Sequence, residues 1–284
     1  MKTTFLLALL CLFTTYNFGQ ISVPAPSPNA KVIQKIGLGE VEISYSRPST
    51  NGRAIFGASA LVRYGEFWRT GANAATNLTI SQDFIINGQS LSKGQYALLT
   101  KPGPKIWQIY LYPYQKQPWN EFVATPPAAV LEVNASARKD FRESLLIYFD
   151  DLELDKATLI IEWADQAIDI PFEIPSHKQM MNRISRVMSG PSSFDYFNAA
   201  SYLYQSDTDL PRALSYIQKA TRGKNPQFFF YRIEATILAK LGRHKEAIAA
   251  AQQSKALAEE VGNSDAVTLN ERSIVAWQKL LDKK

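Results

Sequence analysis

The sequence predicts an α+β chain of two domains, an antiparallel β-sandwich followed by an all-α stack of helical hairpins. Three observations carry this reading. Between residues 31 and 175 apolar residues alternate with a period of two, in short runs separated by turn residues and with no helical pattern between them. Beyond Pro175 the period lengthens to that of an amphipathic helix. The charge balance changes at the same place: 14 Lys and Arg against 16 Asp and Glu from Gln20 to Pro175, net −2, then 16 against 10 from Ser176 to Lys284, net +6.

Residues 1–19 read as a secretory signal, with Lys2 ahead of an apolar core at 5–13 that is too short to span a bilayer. Export, to the periplasm or out of the cell, is the expected destination. Cys11 is the single cysteine and would leave with that leader. The mature chain would then hold no disulfide, thiol nucleophile or thiolate metal site. No later run approaches the ~20 apolar residues of a membrane helix. Residues 20–30 contain Pro24, Pro26 and Pro28 and predict an extended, flexible lead-in.

Strands follow at 31–37 and 40–46, the second with Val41, Ile43 and Tyr45 on one face. After an irregular stretch come 76–81, then 84–86 and 89–91 around Asn87-Gly88, the dipeptide that most favours a two-residue hairpin turn. Runs at 95–100, 105–112, 130–134, 144–150, 157–163 and 167–174 complete the set. Adjacent strands without crossover helices imply antiparallel pairing. Between two of them, residues 112–125 hold Tyr112, Tyr114, Trp119 and Phe122 among prolines and polar residues. Those rings read either as a stacking platform for a sugar or peptide or as a cover for a sheet edge.

The irregular stretch, residues 45–76, is the candidate site. It holds Arg47, Arg53, Arg63 and Arg69 with no lysine, interleaved with Tyr45, Phe56, Tyr64, Phe67 and Trp68. A guanidinium is a planar fork that pairs bidentately with anions and stacks on rings. One reading makes this a surface for an anionic or polar ligand, with Arg47, Arg53, Arg69 and Asn73 as polar contacts and Tyr45 and Trp68 as stacking surfaces. The other makes the arginines internal partners for the carbonyls of a long loop.

Tyr45-Ser46-Arg47-Pro48, Gly52-Arg53-Ala54-Ile55-Phe56-Gly57, the run from Trp68 to Thr76 and Gly94-Gln95-Tyr96-Ala97-Leu98 resemble the signature of domain-of-unknown-function family 2911. The likeness spans roughly residues 28–174. The resemblance implies an exported protein of Bacteroidetes type and brings no activity or catalytic residue with it.

After Pro175, Ser176-His177-Lys178-Gln179 has the form of a capping box. Six helices are expected at 177–189, 193–205, 210–222, 227–241, 244–260 and 264–282, as three stacked hairpins whose last pair is a cap. Ala213-Leu214 and Ala247-Ile248 lie 34 residues apart, and Ser201 with Ala235 and Ala220 with Ser254 share the shift. Together with the run from Leu241 to Ile248, this is similar to tetratricopeptide repeats, whose period is 34.

Several chemistries lack their residues. The two histidines, His177 and His244, have no partner at metal-ligand spacing, so neither a metal nor a cofactor is expected. Asp150, Asp151, Glu153 and Asp155 lack the spacing of a calcium loop and read as a solvated turn. There is no G-x-S-x-G elbow and no phosphate-cradling loop before a helix. The basic residues are too dispersed for nucleic acid. The expected function is therefore an exported non-catalytic binding protein, its sandwich taking a glycan or anionic small molecule and its helices a protein partner. The alternatives are a hydrolase of glycans or peptides using two carboxylates, and a purely structural envelope protein.

Overall fold

A computed structural model describes residues 23–188 and 190–282. The leader expected at residues 1–19 lies outside them. In chain order the elements are β1 (Asn29–Ile36), β2 (Gly39–Ser46), β3 (Phe56–Gly57), β4 (Val62–Arg63), β5 (Thr76–Ile80), β6 (Phe84–Ile86), β7 (Gln89–Leu91), β8 (Gly94–Lys101), β9 (Ile106–Pro113), α1 (Trp119–Phe122), β10 (Ala129–Asp150) and β11 (Lys156–Glu173). Helices α2 (His177–Val187), α3 (Ser193–Gln205), α4 (Leu210–Thr221), α5 (Phe228–Lys240), α6 (His244–Glu260) and α7 (Ser264–Leu281) follow. The architecture is α+β in two parts, strands first and helices after. No helix among the described residues is long and apolar enough to cross a membrane.

The strands form a nine-stranded sheet in the order β1-β2-β5-β8-β9-β10-β11-β6-β7, plus the short parallel pair β3-β4. Pairing in the large sheet is antiparallel. Its two arms share β10. Residues 129–134 of β10 pair with β9, and residues from Ala135 onward pair with β11. Both arms turn their apolar faces into one core, in which Val41, Ile43, Leu78, Leu98, Trp107, Ile109, Ile147, Ile161 and Trp163 are buried. Asn87 and Gly88 take positive φ, as the two-residue turn between β6 and β7 requires. From that hairpin the Asn87 and Gln89 amides donate to the Glu132 and Val130 carbonyls, at 3.0 and 2.9 Å, and so occupy part of the open edge of β10.

β10 and β11 differ from the expected four short strands: each is continuous. The middle of β10 is polar, so alternation fades there, and the pairing with β11 shifts register before it resumes. From Ala137 to Arg142 on β10, the partner strand advances only from Gln166 to Ala164. The extra residues form a bulge. It folds over the outer face of β11, where Glu162 lies between the inward-facing Ile161 and Trp163 and is fully buried. Arg138 and Arg142, from the bulge and its end, close on the two Glu162 oxygens, Arg142 Nε at 2.7 Å, and no other donor among the described residues reaches them. Phe141 at the tip is exposed.

The strand and helix parts are joined at Ser176. Its hydroxyl donates to the Ile174 carbonyl and accepts from the Leu38 N–H, each at 2.9 Å. The capping box expected there is absent, because the hydroxyl is already committed to the β1–β2 turn and makes no bond to the first turn of α2. The box occurs instead at α3, where the Ser192 and Asp195 side chains each accept from the other's backbone N–H. Gly37 allows the approach of Ser176: it has φ +56°, and a Cβ there would meet the Ser176 oxygen at 2.2 Å.

All six expected helices form, within a few residues of the expected ends. α3 pairs with α4, α5 with α6, and α7 packs on α6, so α2 precedes the hairpins rather than opening the first one. Ala213, Ala220, Ala235, Ala247 and Ser254, five of the small residues related by the 34-residue shift, are fully buried where helices cross. Ala199, Leu203, Ile217, Phe230, Ile237 and Ala251 fill the core around them.

Replacing Glu162 by Gln should leave two half-exposed guanidiniums facing a buried neutral group. A loss of roughly 3 kcal/mol is expected in urea denaturation, as for a broken buried ion pair.

Candidate functional site

The loop from Arg47 to Ala75 is ordered by one insertion. Trp68 forms an antiparallel bridge with Thr100 of β8, its N–H 2.7 Å from the Thr100 carbonyl and its own carbonyl accepting at 2.9 Å. Thr100 faces the core, and so does Trp68. The Trp68 ring stacks on Trp163 with centroids 5.8 Å apart and meets Trp107 and Phe56 edge-on. Its Nε1 donates to the Gly71 carbonyl at 3.0 Å. Strand alternation then fixes the neighbours. Phe67 and Arg69 emerge on the outer face of the sheet, on the same side as Leu99 and Lys101, which flank Thr100.

That outer face carries a second, smaller cluster. Ala75, Ala97, Leu99, Tyr112 and Phe122 are buried in it, with Phe67, Tyr110, Tyr114 and Trp119 half-covered around them. Of the rings in residues 112–125, Tyr112 and Phe122 are buried against the face of the sheet at β8 and β9, which are interior strands, so they roof a face rather than an edge, and Tyr114 and Trp119 are half-buried beside them. Arg69 places its guanidinium carbon 5.6 Å from the centre of the Trp119 ring. Lys101 places its Nζ 4.1 Å from the Phe67 ring and 5.5 Å from the Tyr110 ring. Phe67 and Tyr110 meet edge-on at 4.8 Å. The Tyr110 hydroxyl donates to Gln108, whose amide donates to Glu132, each at 3.0 Å. Among the described residues no carboxylate pairs with Arg69 or Lys101, and the buried Nε of Arg69 has no partner. On the other side of Phe67 a cavity of about 370 Å³ is lined by Leu61, Arg63, Glu66, Phe67 and Trp68.

The six residues singled out in the sequence are not brought together. Tyr45 is buried in the core, and its hydroxyl donates to the Ile147 carbonyl at 3.2 Å and accepts from the Ile147 N–H at 2.9 Å. Burial raises its pKa, with the bond to Ile147 and the nearby Arg47 acting against that. Arg47 donates from Nε to the Leu145 carbonyl at 2.8 Å. Arg53 donates to the Thr50 and Ser49 carbonyls at 2.9 and 2.7 Å. Asn73, with φ +61°, donates to Ser46 Oγ and the Ser27 carbonyl, and so ties the lead-in to the loop. These residues hold the loop. Arg63 pairs with Glu66 at 3.6 Å. Arg69 alone faces the ring surface.

Sequence reasoning missed Lys101, which lies one residue past the strand expected at 95–100, and Tyr110, which lay in a run read as a plain strand. Register was the missing information: Leu99 pairs with Tyr110, which sets Lys101 beside the ring. It also missed Glu143. That carboxylate accepts from the Thr50 hydroxyl and from the Asn51 N–H at 2.9 Å, and anchors the arginine loop to β10. The Thr50 hydroxyl, first, and the Asn51 N–H, second, hold its carboxyl below the usual range.

Two outcomes follow. Tyr45→Phe keeps the ring and removes the hydroxyl, leaving the Ile147 N–H and C=O without their partner; a loss of about 1–3 kcal/mol is expected in urea denaturation. Glu143 has a depressed folded pKa, so its contribution is present above the ordinary carboxylate value and lost as pH falls through the folded one. Hydrogen exchange at residues 49–53, corrected for intrinsic rates, should therefore quicken relative to the core between about pH 6 and about pH 3. Glu143→Gln should show the faster exchange at both.

Among curated proteins none matches the chain. A family model does, over residues 27–172, just over half of the chain and nearly all of the strand part; its description reads Protein of unknown function (DUF2911). The bridge at Trp68, the loop it orders and the ring surface all fall within that span, and the chain belongs to the DUF2911 family.

Proposed function

We propose that the chain is an exported, non-catalytic binding protein with two binding surfaces. The first is the outer face of the sheet at Phe67, Arg69, Lys101, Tyr110, Tyr114 and Trp119, and its ligand is a glycan or another polar small molecule carrying negative charge. The observation that supports this reading is the pair of cations, each set over an aromatic ring and neither matched by a carboxylate. A half-open ring offers a stacking face to a sugar, and a cation beside it offers a charged hydrogen bond to an acidic substituent. The second surface is the helical body. Its hairpins, the buried small residues at a 34-residue shift and its net charge of +6 from Ser176 to Lys284 support a tetratricopeptide-like stack that takes a protein partner. The strand part reads as a β-sandwich whose two arms enclose the core. The residues at 1–19 support export.

Isothermal titration with an oligogalacturonate and with a neutral glucan oligomer tests the first surface. The acidic oligomer should bind and the neutral one more weakly. Arg69→Ala and Trp119→Ala should each weaken the acidic oligomer by about ten-fold, near 1.4 kcal/mol, while Arg53→Lys should not. Equal affinity in wild type and Arg69→Ala, or no binding of either oligomer, would count against the reading.

A further inference from the structure

A chain of hydrogen bonds runs through the buried seam between α5, α6 and α7 and ends on one guanidinium. Ser254 of α6, fully buried, donates to the Phe228 carbonyl at 2.8 Å. Asn270 of α7, also fully buried, donates its amide to Ser254 Oγ and to the Ala266 carbonyl, each at 2.9 Å. With both amide protons taken, Asn270 turns its oxygen to α5. There it accepts from Arg232 Nη1 at 3.3 Å, beside Ser273 Oγ, which accepts from the same nitrogen at 2.9 Å. The Ser273 hydroxyl is oriented in turn by donating to the Leu269 carbonyl at 3.0 Å. Arg232 is thus aimed by a built, buried set of polar groups.

Every partner in that set is neutral. Arg212, Lys240, Arg243 and Lys255 of the helical body each reach a carboxylate, whereas none among the described residues pairs with Arg232. Burial pulls its pKa down, and the nearby Tyr204 of α3 pushes it back up. A half-buried guanidinium without a counter-ion is unfavourable unless an anion arrives from outside. Its remaining N–H groups are not buried without partners, so they stay open to one. Tyr204 lies close enough to act on the guanidinium, and Lys240 sits 5.6 Å over the Tyr204 ring.

We propose that Arg232 is the seat for a carboxylate of an acidic segment of a protein partner, laid across α3, α5 and α7. This rests on the reading of the helical body as a protein-binding surface and adds the chemistry that surface selects. The fork geometry of arginine suits the two oxygens of a Glu or Asp side chain, and the net charge of the body draws such a segment in.

The test uses the full chain, titrated with a capped oligoglutamate peptide and with the matching oligoglutamine. Oligoglutamate should bind, and oligoglutamine should bind at least about ten-fold more weakly. Arg232→Ala should lower oligoglutamate affinity by about ten-fold or more. Ser273→Asp should do the same with Arg232 still present, since it places a carboxylate on the guanidinium from within, and its unchanged or raised unfolding temperature shows that the fold survives. Arg272→Ala, which removes an exposed charge on the same helix, should change affinity by less than about two-fold. Full affinity in Arg232→Ala and Ser273→Asp, or an equal loss in Arg272→Ala, would overturn the seat. Oligoglutamine bound as tightly as oligoglutamate would overturn it too but leave the peptide-binding reading standing, and binding of neither would sink the seat and take support from that reading.

Discussion

The stacking of Trp68 on Trp163, backed by Trp107 and Phe56, is the contact from which the strand part takes its character. A loop as long as that between β2 and β5 orders only if it buries apolar area and satisfies its own polar groups. Trp68 supplies the area. Its bridge to Thr100 supplies two backbone hydrogen bonds at the same point. Once Trp68 is inward, Phe67 and Arg69 have no choice of side. The ring surface is therefore a by-product of packing at one residue, and a shift of one position in that bridge would turn Trp68 out and Arg69 into the core.

Arginines serve this loop in two different ways, and only the environment separates them. Arg47 and Arg53 donate to carbonyls at 2.7–2.9 Å, in places where a strand ladder would otherwise supply the partner. Ser49 pairs with Ser144, and the Thr50 N–H reaches the Glu143 carbonyl at 2.8 Å, so the loop begins as an informal extra strand beside β10. Among the described residues no carbonyl reaches Arg69 Nε, and its guanidinium rests on a ring. A guanidinium held by carbonyls has little left for a ligand; one lying over an indole keeps its in-plane donors for another acceptor.

Much of the fold was legible because it rests on periodicity. Val41, Ile43 and Tyr45 alternate into the core as expected, Asn87-Gly88 turns as expected, and the helical seams follow the small residues at the 34-residue shift. What failed did so for lack of register. The bulge in β10 hides in a polar run that breaks the alternation and shifts the register with β11, while the strand goes on beyond it, so one strand looked like two. Ser176 reads locally as a helix cap, yet its hydroxyl answers to Leu38, far away in sequence. The site was half legible: composition picked out the loop, but which arginine faces outward depends on a pairing between residues 68 and 100 that no local pattern encodes.

The helical body shows the same limit in another form. Buried Ser254 and Asn270 weaken an apolar seam unless they are hydrogen-bonded, and here each proton is donated and each oxygen accepts, down to the amide oxygen that accepts from Arg232. Alanine and leucine at those positions would pack without any such requirement. A fully satisfied polar chain that terminates on a charge therefore does something packing alone would not: it fixes the direction of that charge. Rotating a free arginine side chain into place is entropically unfavourable at the moment of binding, and a fork already fixed by Asn270 and Ser273 avoids most of that loss. The same fixing makes the site selective, because a rigid fork rewards two oxygens in one plane more than a single point of negative charge.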